Sequence, residues 1–165
     1  MADGQDDSKK STEASSGQPS EEEAKAKQEA DAKNRQKVLE SLVAPGNAPP
    51  LRIYFGSQTG TAEKYANALD EEAHTIGWED SKVIDFNDFN EEEFPKQALV
   101  IVCVATHYEG DPCDNTRNFF KWMKAKMKKK AEKPFQGMNF AIFGLGDTSY
   151  EQYNEMGKVF DQNFE

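Results

Sequence analysis

The sequence predicts an open parallel α/β sheet in three layers, α/β/α, preceded by a disordered to partly helical tail. Three observations carry this. After Pro50, strand-like and helix-like segments alternate, the pattern of a parallel sheet with helices on both faces. Residues 98–105, ALVIVCVA, are apolar without alternation, as expected of a strand buried on both faces. Polar, glycine-bearing loops follow three of the strands, the end at which such sheets bind ligands.

The elements are justified in order. Residues 1–20 hold no large apolar residue after Met1. They cannot bury enough surface to offset their ordering entropy, and are expected to be disordered. Ser20 and Glu23 form a capping-box pattern. Residues 21–43 are rich in Ala, Glu, Lys and Gln, which favour helix, with Val38, Leu39, Leu42 and Val43 making one apolar end. Pro45 and Gly46 stop that helix, and Pro49-Pro50 form a stiff linker. The boundary between tail and folded domain is therefore expected at residue 50.

Residues 51–55, LRIYF, read as the first strand. Ala62, Tyr65, Ala66, Leu69, Ala73 and Ile76 then recur at helical spacing, with Gly77 as a C-terminal stop. Residues 82–86 and 98–105 are the second and third strands. Residues 114–130 place Phe119, Phe120, Trp122, Met123 and Met127 at helical spacing. Residues 138–143 form a fourth strand, and residues 150–164 a last helix.

Composition excludes several functions. Thirty Asp and Glu against 20 Lys and Arg give a net charge of −10, which disfavours a nucleic-acid binder. Only 36% of residues are hydrophobic, so part of the chain lies outside a core. No apolar run approaches the roughly 18 residues needed to span a membrane, and the N-terminus lacks the apolar segment of a secretory signal. Cys103 and Cys113 make no disulfide framework, so a cytoplasmic, reducing setting is expected. No His/Cys cluster has metal-ligand spacing. His74 is expected on the surface, Cys103 in the core and Cys113 near the second loop, without a base to make it a nucleophile.

The first loop is Gly56-Ser57-Gln58-Thr59-Gly60-Thr61-Ala62. Hydroxyls alternate with glycines just before a helix N-terminus, so neutral donors converge on an anion. No Lys or Arg is present and GxxxxGK[ST] is absent, which points away from a triphosphate and toward a single phosphate. The plain alternative is an ordinary capped helix start. The second loop, Ala105-Thr106-His107-Tyr108-Glu109-Gly110-Asp111-Pro112, sets two rings beside a turn, where they suit a flat ring system or simple packing. The third, Gly144-Leu145-Gly146-Asp147-Thr148-Ser149-Tyr150 followed by Glu151-Gln152-Tyr153-Asn154, combines glycines that admit close backbone approach with a third ring.

Taken together, IYFGSQTGTAEKYA, ATHYEGDPCDNTRNFFKW and FAIFGLGDTSYEQYNEMGKVFD resemble the flavodoxin-like FMN domain of the diflavin reductase family, the NADPH–haemoprotein reductases. The resemblance runs from about Leu51 to Glu165. The flavodoxin-like domain of tRNA wyosine-synthesis enzymes shares SQTGTA but usually not the EGDP-x-DN pattern, and ranks second. A third reading is a flavodoxin-like module that binds a partner without working as a catalyst.

The family resemblance implies that Ser57, Gln58, Thr59, Gly60, Thr61 and Ala62 cradle the FMN phosphate. Ala105, Thr106, His107 and Tyr108 would run beside the isoalloxazine. Leu145, Gly146, Asp147, Thr148, Ser149, Tyr150, Glu151, Gln152, Tyr153 and Asn154 would wrap its other side, Tyr150 stacking on the ring. No catalytic side chain and no metal are implied. Electrons would come from FAD and NADPH domains and leave singly to a haem protein. His107-Tyr108 stands where the family has Tyr-Gly. The resemblance also implies that the fifth strand, an Asp after it and the FAD and NADPH domains are missing, as in a fragment or a short product. A place at the endoplasmic reticulum would then require a partner.

Charge is unevenly spread. Residues 121–133 hold seven lysines, whereas the rest of the chain from Leu51 has six basic residues against nineteen acidic. The acidic remainder suits steering of a partner with a basic face, or simply a solvated surface. The lysines suit the outer face and C-terminal end of a helix, with an RNA or membrane patch as the lesser alternative.

Overall fold

The computed structural model describes Lys25, Glu29 and Lys33, all in helical backbone, and residues 48–128 and 134–165. By contacts the chain divides into Met1–Leu42 and Val43–Glu165. The disordered segment expected over 1–20, most of the helix over 21–43, the stop at Pro45-Gly46, and Lys129, Lys130 and Lys133 lie outside the described residues.

The second unit is built on four parallel strands: β1 (Leu51–Gly56), β2 (Ser81–Asp85), β3 (Leu99–His107) and β5 (Asn139–Leu145). Their order is β2-β1-β3-β5, with Leu51, Ser81, Leu99 and Asn139 level with one another at the N-terminal edge. A fifth strand is present that sequence did not suggest. This is β4 (Asp111–Pro112), antiparallel to the end of β3, with His107 opposite Asp111 and Thr106 opposite Pro112. Among the described residues of this unit three α-helices flank the sheet: α1 (Thr61–Thr75), α2 (Arg117–Met127) and α3 (Glu155–Phe164).

Alternate residues of each strand serve opposite faces, the period of two inherent in a pleated strand. Leu51, Ile53, Phe55 and Cys103 meet Ala62, Ala66 and Ala73 of α1 in one core. Small residues on α1 let the helix approach the sheet closely. Tyr54, Val100, Val102 and Val104 meet Phe119, Trp122 and Met123 of α2 and Met156, Phe160 and Phe164 of α3 in the other. Phe86, Phe94, Phe119 and Phe160 there have no exposed surface. Their rings pack tilted, edge to face or stacked, as between Phe86 and Phe119 with centroids 4.4 Å apart. Gly77 follows α1 at φ 87, and its N–H donates to the carbonyl of His74. Trp78 Nε1 donates to the Pro49 carbonyl at 2.8 Å, tying the start of the domain to the end of α1.

Boundaries shift in ways that matter for the site. β3 continues to His107 and β5 to Leu145, because Ala105, Thr106 and Leu145 keep pairing where their sequence suggested loops. The helix expected from residue 114 begins as a 3₁₀ turn, Asp114–Thr116, before α2. The last helix starts at Glu155 rather than Tyr150. Asn154, in the left-handed conformation at φ 52, stands at its N-terminus, Tyr150 lies in a bend and residues 151–154 form turns. Among the described residues no helix is long and apolar enough to cross a membrane.

Candidate functional site

All three polar loops meet at the C-terminal edge of the sheet, where two adjoining clefts open. One of about 290 Å³ is lined by Ser57, Gln58, Thr59, Thr61, Ala105 and Leu145, together with Thr106, His107 and Gly146. The other, of about 420 Å³, shares those last three and adds Tyr108, Asp147, Tyr150, Gln152, Tyr153 and Asn154. One end is thus hydroxyl-rich and the other aromatic. Of the expected site residues, Gly60, Ala62, Thr148, Ser149 and Glu151 line neither cleft. The Ala62 side chain is wholly buried under α1, and its N–H is taken by Ser57 Oγ at 3.2 Å.

The first loop is held by residues to which sequence gave no role. Asn115, buried, accepts from the Ser57 N–H at 3.0 Å. Its amide donates to the Phe55 carbonyl at 3.3 Å and to Asp85 Oδ1 at 3.1 Å. One side chain therefore joins the ends of β1 and β2 to the loop. The Thr116 hydroxyl donates to Asn115 Oδ1 at 3.2 Å and sits where a side chain at Gly56 would have to go. Gln58 is committed elsewhere than expected. Its Nε2 donates to Asp114 Oδ2 at 2.9 Å, and its Oε1 accepts from the Asp114 N–H at 3.1 Å. Those bonds, with Arg117 2.9 Å away, hold the Asp114 carboxyl below its usual range. The available clue was the DN pair in EGDP-x-DN, whose two residues turn out to be the tether.

What remains for a ligand is neutral. Thr59 Oγ1 and Thr61 Oγ1 lie 3.4 Å apart. Gly60, at φ 84, precedes α1 and has no side chain to cap it; of the opening N–H groups only that of Ala62 is given a side-chain acceptor, Ser57 Oγ. The positive end of the helix dipole thus faces the loop. No Lys or Arg lines either cleft.

At the aromatic end, a three-residue turn joins β3 to β4. Tyr108 stands there at φ 44 with 81% of its surface exposed, its ring edge-on to His107 at 4.5 Å. The Thr106 hydroxyl oxygen accepts from the Met156 N–H at 3.1 Å, fixing the start of α3 to β3. Across the cleft, Asp147 Oδ1 accepts from the N–H and hydroxyl of Ser149, at 2.8 and 2.7 Å. These bonds keep its carboxyl below the usual range, so Thr148 and Ser149 shape the turn that presents Tyr150. Asn154 fills the gaps left by two glycines. A Cβ on Gly144 would overlap its Oδ1, and one on Gly157 would lie 2.5 Å from it. The Asn154 side chain thereby pins the Tyr150–Tyr153 segment against β5 and α3.

Cys113 is buried rather than open to the cleft. Its Sγ donates to the Ala105 carbonyl at 3.4 Å, and burial pushes its thiol up to about 11. Cys103 is likewise buried, its thiol raised to about 11. Neither is a nucleophile near neutral pH. His74 is exposed on α1, as expected, with Nδ1 2.8 Å from the Asp70 carbonyl. Among the described residues no group of His, Cys, Asp and Glu could hold a metal.

A site of this shape, with neutral anion donors at one end and rings at the other, at the C-terminal edge of a parallel sheet, agrees with the comparisons. NADPH–cytochrome P450 reductases of Rattus norvegicus and Homo sapiens are each 39% identical over 117 residues, which is 68% of this chain. The chain spans 16% of the length of those relatives. Among solved structures, a flavodoxin of Streptococcus pneumoniae superposes with a TM-score of 0.57 at 24% identity, covering 69% of this chain and 73% of that one. Flavodoxin 1 of Bacillus cereus gives 0.55 at 20%, covering 68% and 72%. The Flavodoxin family model matches residues 53–165, which takes in all five strands but the first two residues of β1, all three helices and both clefts; the chain belongs to the flavodoxin family.

Proposed function

We propose that residues 51–165 bind FMN and serve as a one-electron carrier between an FAD- and NADPH-binding reductase and a haem protein, with residues 1–50 as tail and linker. The observation that carries this is the paired cleft. A ligand with a small anion at one end and a flat ring at the other matches it in chemistry. The similarity to NADPH–cytochrome P450 reductases supports the same reading.

The residues fit the group. Thr59 and Thr61 hydroxyls, the Ser57 region and the N–H groups opening α1 hold the phosphate without a cation. His107 and Tyr108 flank one side of the ring, with Gly146, Tyr150 and Tyr153 on the other. Gln58 acts here through Asp114, and Asn154 through the turns it pins. FMN, when bound, supplies the one-electron chemistry; the protein orients it and tunes its surroundings. Asp147, ionised at the cleft, disfavours added negative charge on the ring. Glu109, Asp111, Asp114 and Glu151, all exposed around this edge, suit encounter with a partner whose face is basic. Two unpaired cysteines fit a cytoplasmic setting, with contact to the endoplasmic reticulum supplied by a partner.

Titrating the purified chain with FMN while following flavin fluorescence tests the reading. Stoichiometric quenching is expected, because the rings at the cleft contact the flavin. Protein that leaves FMN fluorescence unchanged would mark a module that does not hold the cofactor.

A further inference from the structure

The lysine-rich end of α2 has no place in the reading above. Lys121, Lys124 and Lys128 recur at helical spacing, with Lys126 beside them. The sequence continues with Lys129, Lys130 and Lys133. Three other lysines of the domain stand near carboxylates: Lys82 with Asp80 at 4.0 Å, Lys96 with Glu93 at 2.8 Å, Lys158 with Glu155 at 3.8 Å, whereas Lys64 on α1 stands alone and apart from any cluster. Among the described residues, Lys124, Lys126 and Lys128 form no such pair. Instead Lys124 Nζ lies 5.4 Å from the Phe120 ring centre and Lys126 Nζ 5.8 Å from that of Trp122. Their stems cover apolar surface while their charges stay in water. Lys121 is the exception, since it shares a surface groove with Glu91.

Position gives the patch its meaning. α2 begins beside the cleft, where Asn115 reaches the last residues of β1. It ends ahead of β5, whose first residue is level with the first residue of β1. Lys124, Lys126 and Lys128 therefore lie toward the opposite pole from the cofactor edge, where Glu109, Asp111, Asp114 and Glu151 are exposed. We infer that the C-terminal end of α2 docks on an anionic phospholipid surface, holding the cleft away from it.

Three features favour lipid over other polyanions. The patch is lysine alone, without arginine from residue 121 to 133. Lysine is a point charge lacking the bidentate fork that reads nucleic acid or a fixed carboxylate. It is also depleted from protein–protein interfaces, whereas clusters of four to eight basic residues on an amphipathic helix are a feature of anionic-lipid binding. Glu109, Asp111, Asp114 and Glu151, exposed at the cleft edge, add orientation, because the same surface repels the cleft pole. The attraction reaches only about 8 Å at physiological salt, so contact must be made by this end.

The test is co-sedimentation of the full chain with phosphatidylcholine vesicles, with and without about one-third phosphatidylserine. Binding is expected only with phosphatidylserine, and loss of it in about 0.5 M sodium chloride. The triple variant Lys124→Gln/Lys126→Gln/Lys128→Gln should bind at least about tenfold more weakly, while keeping its circular dichroism and FMN affinity. Lys82→Gln, on β2, should bind like wild type. Equal binding to both vesicles, undiminished binding by the triple variant, or capture of single-stranded RNA without binding to phosphatidylserine would overturn the inference. So would displacement by inorganic phosphate beyond that caused by chloride at equal ionic strength, since the patch would then read an isolated phosphate and not a surface.

Discussion

Asn154 and the two glycines beside it give the sharpest test of how the aromatic cleft is built. In Gly144→Ala the new methyl would overlap Asn154 Oδ1 and lie 2.8 Å from its Cγ and Nδ2. The amide has nowhere to retreat, because a Cβ-sized gap at Gly157 is filled by the same oxygen, 2.5 Å from that Cβ position. The backbone at φ 52 fixes its origin. Overpacking of this kind costs about 1–3 kcal/mol. Displacement of the Tyr150–Tyr153 segment should lower FMN affinity at the same time. Asn154→Gly removes the obstacle, keeps a backbone conformation that glycine adopts without strain, and deletes a buried oxygen that has no hydrogen-bond partner in the described structure. In that background the methyl of Gly144→Ala fills vacated space. Urea unfolding of the two single variants and the double should therefore show a coupling of at least about 1 kcal/mol, the double being more stable than the sum of the singles. Costs that add within about 0.5 kcal/mol would refute the wedge, as would Gly144→Ala protein with unchanged stability and FMN affinity.

Three further outcomes are expected. Tyr108→Gly should raise stability by about 0.5–1 kcal/mol in urea, since it relieves a left-handed residue whose side chain is 81% exposed; a lower midpoint would mean that the ring contributes packing which outweighs the strain. Thr59→Ala should weaken FMN binding by about 1.5–3 kcal/mol and leave riboflavin, which has no phosphate, nearly unaffected; equal losses for both would remove Thr59 from the anion end. Hydrogen bonds from Ser149 hold the Asp147 carboxyl below the usual carboxylate range. A depressed acid contributes stability above its unfolded pKa and loses it as pH falls through the folded value. Asp147→Asn should consequently be destabilising near neutral pH, with the gap to wild type closing as pH drops below about 3.8. A gap independent of pH from 2 to 7 would show that the carboxylate charge contributes nothing to the turn.

Much of the fold was legible because period and composition coincide. The unbroken apolar run over residues 98–105 read as a strand buried on both faces, and Ala62, Tyr65, Ala66, Leu69, Ala73 and Ile76 at helical spacing marked a helix. Strand ends were less legible. Thr106, His107 and Leu145 have loop-like neighbours, yet the ladder from β4 or β3 carries their pairing further, and pairing partners are not visible in a local window. The three ligand-facing loops were identified by their glycines, hydroxyls and rings. Their division of labour was not. Gln58 looked like a ligand donor until its amide was found on Asp114, 56 residues away. Asn154, expected as a ligand contact, lines the cleft and is in addition a wedge that depends on Gly144 and Gly157. Asn115, which ties Phe55, Ser57 and Asp85 together, showed only as half of the DN pair, and its role did not, because every partner of its side chain outside the 3₁₀ turn is distant in the chain.

The central claim is that the two adjoining clefts form one site for a ligand with an anionic end and a flat ring. Backbone amide chemical shifts of the ¹⁵N-labelled chain, followed through separate titrations with FMN, riboflavin and inorganic phosphate, test it most directly. FMN should move the amides of Thr59–Ala62 together with those of His107, Tyr108 and Gly146. Riboflavin should move only the second set, and phosphate only the first. FMN shifts confined to one set, or centred on residues remote from the C-terminal edge of the sheet, would contradict the claim.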